Sequence, residues 1–589
     1  MCGIFFYQKK NGEFSKDEIQ ALLLCFNRIK HRGPDESNYF IVKNKFFIGF
    51  HRLAINGLEN GSQPFIYKKE NGSKTYVMCN GEIYNHEHLK KKYELEYEND
   101  SDCAVLYPLY CKIGIENLCK EIDGVFAMVM FDEDNENIVI ARDMIGIRPL
   151  FIGNNDNCLA LASEAKAIHD LVTCQQFSPG AYFDKNDEYP LNYFIKLRDI
   201  QSTNFTESDK DIHKNIRDLF YKSIEKRMMS DRSIGCLLSG GLDSSLVAAI
   251  LQKMLDKDGK KLNTYAIGME GATDIINARK VAEFIGSNHH EHIISEGDAL
   301  GAINSTIETI ESYDTTTIRA SVGMYLISKY IKEQKQDIVI FSGEGSDELF
   351  EGYIYFHYAP NEMEGRLDSL KLLEQLHMFD VLRADRTISM FGLEARVPFL
   401  DKALVKYILS LSPKKIIPTK GIEKYILRKA FENENLLPSE IIWRTKEAFS
   451  DGVSSKEKSW HHTIQEMIDK NMDEETKYYL KKMFFFNKPR TKEEIMYRSL
   501  FIKYYPEGSE WISNFWQPKW INKIDPSARE LSIYSKLKKE NNKNLKKTIQ
   551  KEQDQELEEQ MRREFEESLE YHIEEPSNET IEYKVDKTI

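Results

Sequence analysis

The chain has 589 residues, of which 80 are Lys or Arg and 94 are Asp or Glu, so its formal net charge is −14 at pH 7. This length predicts more than one domain, and a hydrophobic content of 41% is sufficient for large cores. The acidic balance argues against nucleic acid as a partner, and no apolar run reaches the roughly 18 residues of a membrane span. Nine cysteines without zinc-type pairs are typical of a reducing compartment. We therefore expect a soluble, cytoplasmic protein that binds neither nucleic acid nor a membrane.

The chain starts with Met1-Cys2-Gly3-Ile4 and shows no secretory signal pattern there. Removal of Met1 would place a thiol and a free α-amino group on the same residue, Cys2. Their ordinary pKa values, about 8.5 for the thiol and about 7.7–8.0 for the amine, let the amine act as a base near neutral pH. This start is a weak signal by itself, and the motifs that follow strengthen it.

Several polar motifs follow, each next to a predicted helix or strand. In chain order they are His31-Arg32-Gly33-Pro34-Asp35-Glu36 after the helical stretch 16–30, His51-Arg52 after the strand-like residues 46–50, Asn80-Gly81-Glu82-Ile83-Tyr84-Asn85 after the alternating residues 75–78, and Ser101-Asp102 before a helix predicted from Cys103 to about Tyr110. Each motif alone is as compatible with a surface turn or a salt bridge as with a site. Together and in this order, they resemble the class II glutamine amidotransferase domain, an N-terminal-nucleophile hydrolase.

That resemblance implies an α+β sandwich with αββα layers over residues 2–195. Cys2 would attack the side-chain amide of glutamine, form a glutamyl thioester and release ammonia. The Asn80 side chain and the Gly81 N–H would hold the oxyanion, while Arg52 would bind the α-carboxylate and Asp102 the α-ammonium group of glutamine. The implied glutamine site comprises Arg52, Leu53, Ala54, Ile55, Asn56, Asn80, Gly81, Glu82 and Asp102.

Helical and strand-like segments alternate after a domain boundary that we predict at residues 195–210. This alternation predicts an α/β region with a parallel sheet. Its first strand is predicted at residues 233–238, and the turn Ser239-Gly240-Gly241-Leu242-Asp243-Ser244-Ser245 leads into a helix predicted at 246–251. Two glycines let the backbone approach a phosphate, and the N–H groups at the start of the helix point at it. The turn is therefore a candidate phosphate-binding loop.

Asp243 is placed in this loop to hold a Mg²⁺ ion that bridges phosphates. No Lys follows the glycines, so the loop differs from the Gly-x-x-x-x-Gly-Lys-Ser/Thr motif. It resembles the pyrophosphate loop of enzymes that adenylylate a substrate and release pyrophosphate. An ordinary glycine-rich turn between a strand and a helix is the alternative interpretation.

Two further strands are predicted beyond the loop. In the fold that the loop resembles, the strand at residues 264–268 lies beside the first strand, which places Leu238 and Ile267 against adenine. His289-His290-Glu291-His292 looks like a metal cluster, but consecutive residues on a strand point to opposite faces, which argues against zinc. The second strand, at residues 337–341, leads into glycines and acids that belong at the ligand edge of an open α/β sheet.

The remaining motifs of this region indicate a particular family. They are Thr317-Ile318-Arg319-Ala320-Ser321, Ser342-Gly343-Glu344-Gly345-Ser346-Asp347-Glu348, Leu382-Arg383-Ala384-Asp385, Gly392-Leu393-Glu394-Ala395-Arg396-Val397-Pro398-Phe399-Leu400-Asp401, Trp443-Arg444-Thr445-Lys446-Glu447 and Asp525-Pro526-Ser527-Ala528-Arg529. They resemble the glutamine-dependent asparagine synthetases, and the resemblance runs from residue 2 to about residue 531. It implies an adenine-nucleotide α-hydrolase-like synthetase domain over residues 210–531.

The resemblance also implies substrates and roles. ATP would adenylylate the β-carboxylate of aspartate, and ammonia would then displace AMP to give asparagine. The implied ATP site comprises Leu238, Ser239, Gly240, Gly241, Asp243, Ser244, Ile267, Ser342, Gly343 and Lys446. Asp243 and Asp347 are the implied Mg²⁺ ligands, Glu344 would orient or deprotonate ammonia, and Arg319 is a candidate contact of aspartate. A homodimer is the candidate assembly.

Residues 532–589 are rich in Lys, Glu, Gln and Asn, and we expect a charged tail that is helical or disordered. Two other functions stay open at this point. One is a relative that uses the adenylate for internal ring closure, as β-lactam synthetases do, and the other is an inactive scaffold that acts through its tail. The presence of Cys2, Arg52, Asn80 and Asp102 argues against the first, and that of Cys2, Asp243, Glu344 and Lys446 against the second.

Overall fold

The computed structural model describes residues 1–185, 191–203, 206–447, 452–454 and 459–527. The chain divides into two compact units, residues 1–534 and residues 535–589. Because the described residues end at 527, the tail predicted for residues 532–589 lies outside them. All of the elements given below belong to the first unit.

Two antiparallel sheets of six strands are built from the first third of the chain. In the order of pairing, the first sheet consists of β10 (Cys174–Gln176), β8 (Phe151–Asn154), β9 (Cys158–Ala162), β1 (Gly3–Lys9), β3 (Phe46–Arg52) and β2 (Glu36–Val42). The second sheet consists of β12 (Asn192–Tyr193), β11 (Ala181–Asp184), β7 (Asn137–Arg142), β6 (Gly124–Asp132), β5 (Lys74–Ile83) and β4 (Phe65–Lys68).

The two sheets face each other across a shared apolar core. Alternate residues of β1, such as Ile4 and Phe6, point into this core, and so do Met78 of β5 and Val129 of β6. The opposite residues of β5, such as Val77, pack outward in a second core with two helices, α2 (His86–Lys92) and α3 (Leu106–Glu121). Helix α1 (Lys16–Asn27) covers the outer face of the first sheet through Phe26, which contacts Phe5 and Phe47.

A parallel sheet of five strands organises the rest of the chain. In the order of pairing it consists of β15 (Asn288–Ile293), β14 (Asn263–Gly268), β13 (Ile234–Leu237), β16 (Val339–Phe341) and β17 (Glu394–Arg396). The strands predicted at residues 233–238, 264–268 and 337–341 are confirmed, and so is their parallel arrangement. The chain leaves β13 toward β14 on one side and reaches β16 on the other, so a crevice opens at the carboxyl ends of these strands.

The helices of this second region cover the parallel sheet and continue beyond its last strand. They are α4 (Asp209–Lys226), α5 (Leu242–Leu255), α6 (Thr273–Ile285), α7 (Glu296–Ile310), α8 (Thr315–Gln334), α9 (Ser346–Leu349), α10 (Glu362–Gln375), α11 (Asp380–Ser389), α12 (Lys402–Ser410), α13 (Tyr425–Phe431), α14 (Ser439–Ile442), α15 (Trp460–Asn471), α16 (Glu474–Lys482) and α17 (Lys492–Tyr504). Within the described part of the chain, no helix combines the length and the apolar composition needed to cross a membrane. All nine cysteines are free thiols.

Two helix predictions differ from the structure in their extent. The stretch predicted to be helical at residues 16–30 ends as an α-helix at Asn27, and a 3-10 turn follows at Lys30–Arg32. The helix predicted from Cys103 to about Tyr110 begins as a 3-10 turn at Asp102–Val105 and continues as α3 to Glu121, with a break in the helical geometry at Gly114. The mixed composition after Tyr110 does not predict this continuation. The helix forms there because Ile115 and Leu118 pack into the core.

Phe220 on α4 supports the packing of the second region. It is fully buried, and its ring stacks on that of Phe399 with 4.3 Å between the ring centroids. We expect Phe220→Ala to lower the free energy of unfolding by about 3–5 kcal/mol, because it opens a cavity that the neighbours fill incompletely. Urea denaturation measures this change. The control is Phe485→Ala at an 86% exposed side chain, and equal effects of the two substitutions would contradict the expectation.

Candidate active sites

The first site lies where β1 begins, between β3 and β9 of the first sheet. The backbone N–H of Cys2 donates to Asn80 Oδ1 at 2.9 Å, which joins the start of the chain to β5 in the other sheet. The Cys2 thiol lies 3.7 Å from the carbonyl oxygen of Leu53, its acceptor. The structure thus brings Cys2, Leu53 and Asn80 together.

The Asn80 side chain, which accepts the backbone N–H of Cys2 through Oδ1, also carries an amide donor, Nδ2. Asn80 Nδ2 is buried and has no hydrogen-bond partner within the described structure. Gly81 follows it, and a side chain there would place its Cβ only 2.1 Å from the Val125 carbonyl oxygen, so glycine is required. An unpaired buried amide donor is costly unless a ligand uses it. Asn80 Nδ2 is therefore suited to receive an anionic oxygen formed beside Cys2.

Met1 covers Cys2 on the side of the parallel sheet. It is 1% exposed, and its amino group donates to the carbonyl oxygen of Leu393 at 3.2 Å. Burial lowers the pKa of the Met1 amine to about 6. Burial also raises the pKa of the Cys2 thiol to about 11, so the thiol is protonated and unreactive near neutral pH.

Two buried carboxyl groups, those of Glu82 and Asp102, lie near the end of β5. Asp102 Oδ2 accepts the backbone N–H of Ile83 at 2.6 Å, and Asn56 Nδ2 donates to Glu82 Oε2 at 2.5 Å. Burial raises the pKa of both Asp102 and Glu82, and the charge of Asp102 raises that of Glu82 further. Asn56 and Asp102 also line an open pocket, which gives a ligand with an ammonium group access to Asp102.

Arg52 has a different environment from the one predicted for it. Its guanidinium donates to the carbonyl oxygens of Asn56 at 3.2 Å, Gly57 at 2.6 Å and Leu58 at 3.3 Å. These bonds hold the loop beside the pocket, and Arg52 is not one of the residues that line the pocket. Its role as a clamp for the glutamine α-carboxylate stays a prediction. Leu53, Ala54 and Ile55 continue from β3 into this loop, where the Ala54 N–H donates to Asp35 Oδ2 at 2.9 Å.

The second site is a cavity at the carboxyl ends of β13, β14 and β16. The residues of the predicted ATP site that line it are Leu238, Ser239, Gly241, Asp243, Ser244, Ile267, Ser342, Gly343 and Lys446. Gly240 is not among them. It has φ +67°, and a Cβ there would lie 2.4 Å from the Ala278 backbone, so Gly240 shapes the turn from behind.

The turn after β13 has the geometry of an anion-binding loop. Helix α5 begins after Gly241. Glycine has no side chain, so it does not cap the first N–H groups of the helix. The Ser239 and Ser244 hydroxyl oxygens lie 3.0 Å apart, and Ser244 Oγ accepts the Ser239 N–H at 3.1 Å. Uncapped N–H groups and clustered hydroxyls together favour a phosphate at this position.

Two lysines and two aspartates form a charge cluster beside the loop. Lys424 Nζ lies 2.7 Å from both Asp243 Oδ2 and Asp347 Oδ1, and Lys446 Nζ donates to Asp347 Oδ2 at 2.6 Å. Burial alone would raise the pKa of Asp347, but the two ammonium groups outweigh it and lower that pKa. The same aspartates raise the pKa of Lys446. Asp347 and Lys446 therefore stay charged across the neutral range.

Sequence reasoning missed Lys424. It lies between Glu423 and Tyr425, three residues after Gly421, and its backbone adopts φ +54°, a strained conformation for a side chain of this size. Strain of this kind, typically about 1–3 kcal/mol, persists at functional sites where the surrounding contacts determine the conformation. The strained backbone aims the ammonium group between the two aspartates.

Glu344 lies on the opposite wall of the same cavity. Its Oε2 accepts from Arg383 Nη2 at 2.7 Å, and the same nitrogen donates to Asp380 Oδ1 at 2.6 Å. Burial raises the pKa of Glu344 to about 7, against the opposing effect of Arg383. Glu344 can therefore exchange a proton near neutral pH.

Arg319 does not reach the cavity, although Thr316 and Ala320 of the same helix line it. The Arg319 guanidinium is directed to the other face of α8, where it donates to Glu493 at 2.6 and 2.9 Å and to Asp525 at 2.8 and 3.1 Å. Both carboxylates hold it in paired bonds, so no donor is directed toward a substrate. The prediction that Arg319 contacts aspartate disagrees with this placement. The arginines that line the cavity include Arg383, Arg428 and Arg444.

The chain thus combines a thiol site for amide hydrolysis with a phosphate-binding site, a pairing that defines an amidotransferase joined to a synthetase. Comparison with known families agrees. The model of the glutamine amidotransferase domain matches residues 1–219, and the model of asparagine synthase matches residues 215–373 and 366–525.

Individual relatives extend this match to nearly the whole chain. The asparagine synthetase [glutamine-hydrolyzing] of Cricetulus griseus is 43% identical over 567 residues, covering 91% of this chain and 99% of the relative. Those of Gallus gallus and Homo sapiens are each 43% identical over 91% of this chain and 99% of their own length. The chain belongs to the glutamine-hydrolysing asparagine synthetase family.

The burial of Met1 and Cys2 predicts a pH-dependent reactivity. In a sample that retains Met1, only about one thousandth of Cys2 is thiolate at pH 8, since the pKa of the thiol is about 11. We expect its alkylation by iodoacetamide to accelerate roughly tenfold per pH unit between pH 7 and pH 10. Mass spectrometry of the N-terminal peptide measures this rate. Rapid labelling at pH 7 that does not change with pH would contradict the expectation.

Proposed function

We propose that the chain synthesises L-asparagine from L-aspartate, ATP and the amide nitrogen of glutamine, and releases AMP, pyrophosphate and glutamate. The observation that carries this proposal is the 43% identity to glutamine-hydrolysing asparagine synthetases over 99% of their length. The two sites described above supply the two half-reactions. Each half-reaction follows from the residues at its site.

The first half-reaction takes place at Cys2, within a proposed N-terminal-nucleophile sandwich over residues 2–195. After removal of Met1, the free amine of Cys2 takes the thiol proton, and the thiolate attacks the side-chain carbonyl carbon of glutamine. Asn80 Nδ2 and the Gly81 N–H stabilise the oxyanion. Ammonia leaves with the proton from the amine, and water then hydrolyses the thioester to glutamate. Asp102 holds the substrate ammonium group, and Arg52, Asn56 and Glu82 hold the surrounding loop.

The second half-reaction activates aspartate in the cavity of the proposed synthetase domain, residues 210–531. A carboxylate is a poor electrophile, because its leaving group would be oxide. A β-carboxylate oxygen of aspartate therefore attacks the α-phosphorus of ATP, and pyrophosphate leaves. The loop at Ser239 binds the departing phosphates, while Leu238 and Ile267 contact adenine. Lys424 and Lys446 offset the negative charge that develops on pyrophosphate.

Mg²⁺ fits the residues present at this site. Asp347 Oδ1 is buried and accepts no hydrogen bond, although Lys424 Nζ lies 2.7 Å away, and Asp243 lies on the other side of that lysine. Mg²⁺ is commonly held by one or two carboxylates together with substrate phosphates, so Asp243 and Asp347 are sufficient ligands from the protein. When bound, the ion would neutralise phosphate charge.

Ammonia completes the reaction by attacking the β-carbonyl carbon of aspartyl-AMP, and the bond to the phosphate oxygen breaks to release AMP. Glu344 accepts the proton that the attacking nitrogen loses, consistent with its pKa of about 7. We also propose that Arg383 and Asp380, which line the cavity, contact the α-carboxylate and α-ammonium groups of aspartate. Nine free thiols support a cytoplasmic location, and a homodimer stays a prediction.

Substitution of the nucleophile separates the two half-reactions. We expect Cys2→Ala to lower glutamine-dependent synthesis at least about a thousandfold, because no thioester can form. Synthesis from added ammonium should continue, since the cavity of the second site does not include Cys2. Product analysis with ¹⁵N-amide glutamine or ¹⁵N-ammonium measures both rates. Loss of both activities in a folded variant would contradict a division of labour between two sites.

Lys424 offers the complementary test at the second site. We expect Lys424→Met to slow aspartate-dependent exchange between ATP and pyrophosphate by at least about 100-fold, because Asp243 and Asp347 would lose the cation between them. Glutamine hydrolysis should be retained. The matched control is Lys414→Met, at a side chain that is 76% exposed. Normal exchange by Lys424→Met would exclude a role for this lysine in adenylylation.

A further inference from the structure

Helix α11 extends from one site toward the other. Asp380 and Arg383 in its first turn line the synthetase cavity, and Arg383 donates to Glu344 at 2.7 Å. Asp385 and Ser389, farther along the helix, contact residues of the amidotransferase region. Arg383 and Asp385 are two residues apart, so the helix rises only about 3 Å between the two contacts. A shift at either contact is therefore transmitted to the other.

Arg32 connects the helix to the thiol site. Its Nε donates to the carbonyl oxygen of Cys2 at 2.8 Å, and its Nη1 and Nη2 donate to Asp385 at 2.8 and 3.0 Å. Nη1 also donates to Glu164 at 2.6 Å and to Ser389 Oγ at 3.1 Å. The Arg32 guanidinium thus contacts the backbone of Cys2, Glu164 of the amidotransferase region and helix α11 of the synthetase region.

A second set of contacts fixes the same junction. Arg386 Nη2 donates to Glu311 at 3.0 Å, and its Nη1 donates to the Ser163 carbonyl oxygen at 3.2 Å. The carboxylate of Glu311 accepts the backbone N–H groups of Ala165 at 3.0 Å and Lys166 at 2.7 Å. Charged groups from both regions therefore alternate across the junction.

These groups are almost completely removed from water. Asp385 is 3% exposed, and Arg32, Glu164 and Arg386 are 0% exposed. A buried ion pair adds little net stability, because desolvation offsets its attraction, but removing one partner leaves an uncompensated charge. The paired geometry of Arg32 and Asp385 also restricts their orientation more than a single bond would. Such a network contributes more to a defined geometry than to the free energy of folding.

We propose that Asp385 and Ser389 are positioning residues that couple the two sites, so that ammonia released at Cys2 reaches the aspartyl adenylate instead of escaping to water. This role rests on the proposed function, because it requires both half-reactions. Neither residue lines the synthetase cavity. They act through Arg32 at one end and through Arg383 on the same helix at the other.

The coupling is measured as the number of glutamate molecules formed per asparagine. We expect Asp385→Asn to raise this ratio from about 1 to at least about 3, because a displacement of about 1 Å is sufficient to disturb transfer. The rate of synthesis from added ammonium should stay within about twofold of the wild-type rate. General unfolding would lower this rate as well, so the measurement separates the two explanations. Ser389→Ala, which removes one bond of 3.1 Å, should raise the ratio less.

The control is Asp170→Asn, which breaks the exposed pair between Arg28 and Asp170 inside the amidotransferase region and should leave the ratio unchanged. An unchanged ratio in Asp385→Asn would overturn the proposal. If Asp385→Asn does not fold, an unchanged ratio in Ser389→Ala overturns it instead. A wild-type protein that forms no asparagine from glutamine would refute the proposed function and not the coupling alone.

Discussion

Buried arginines determine how the two regions of this protein meet. The largest fully buried side chains include Arg32, Arg148, Arg386 and Arg396, and each of them lies near a carboxylate of similar burial. Moving a guanidinium out of water costs several kcal/mol unless its partners are in place, so an incomplete junction is strongly disfavoured. The same constraint leaves little freedom for the regions to separate and rejoin. Both sites therefore depend on a single arrangement of charges between them.

The charged groups of the synthetase cavity are balanced in a related way. Asp243 and Asp347 would repel each other in a buried setting, and Lys424 and Lys446 lie where they relieve that repulsion. A nucleotide brings phosphates that compete for the same ammonium groups, and a divalent ion that competes for the same carboxylates. On substrate binding, the ion pairs between the lysines and the aspartates are then replaced by pairs between the lysines and phosphates and between the aspartates and the divalent ion. The charges of the two lysines and two aspartates are thus close to balanced before a highly charged ligand arrives.

Local sequence patterns were sufficient to predict most of the fold and many of the residues at each site. The strand, glycine turn and helix around Ser239 were predicted because all of their signals lie within a few consecutive residues, and β13 and α5 confirm them. The placement of Arg319 was wrong because its helix offers arginine both a cavity face and an ion-pair face, and only the distant Glu493 and Asp525 decide between them. Lys424 was not predicted for the same reason, since its partners lie far away in the sequence. Residues whose role depends on long-range partners are the ones that sequence patterns describe least.

The burial of Met1 sets the order of two events during synthesis of the protein: the proposed removal of Met1 and the folding of the synthetase region against it. An aminopeptidase needs an extended, accessible N-terminus, whereas Met1 is 1% exposed and bonded to Leu393, a residue from the later part of the chain. The first residues leave the ribosome long before Leu393 does, and this interval is the time available for trimming. A chain that closes before it is trimmed would keep its first residue protected from the peptidase. The proposed removal of Met1 therefore has to precede the folding of the synthetase region against the N-terminus.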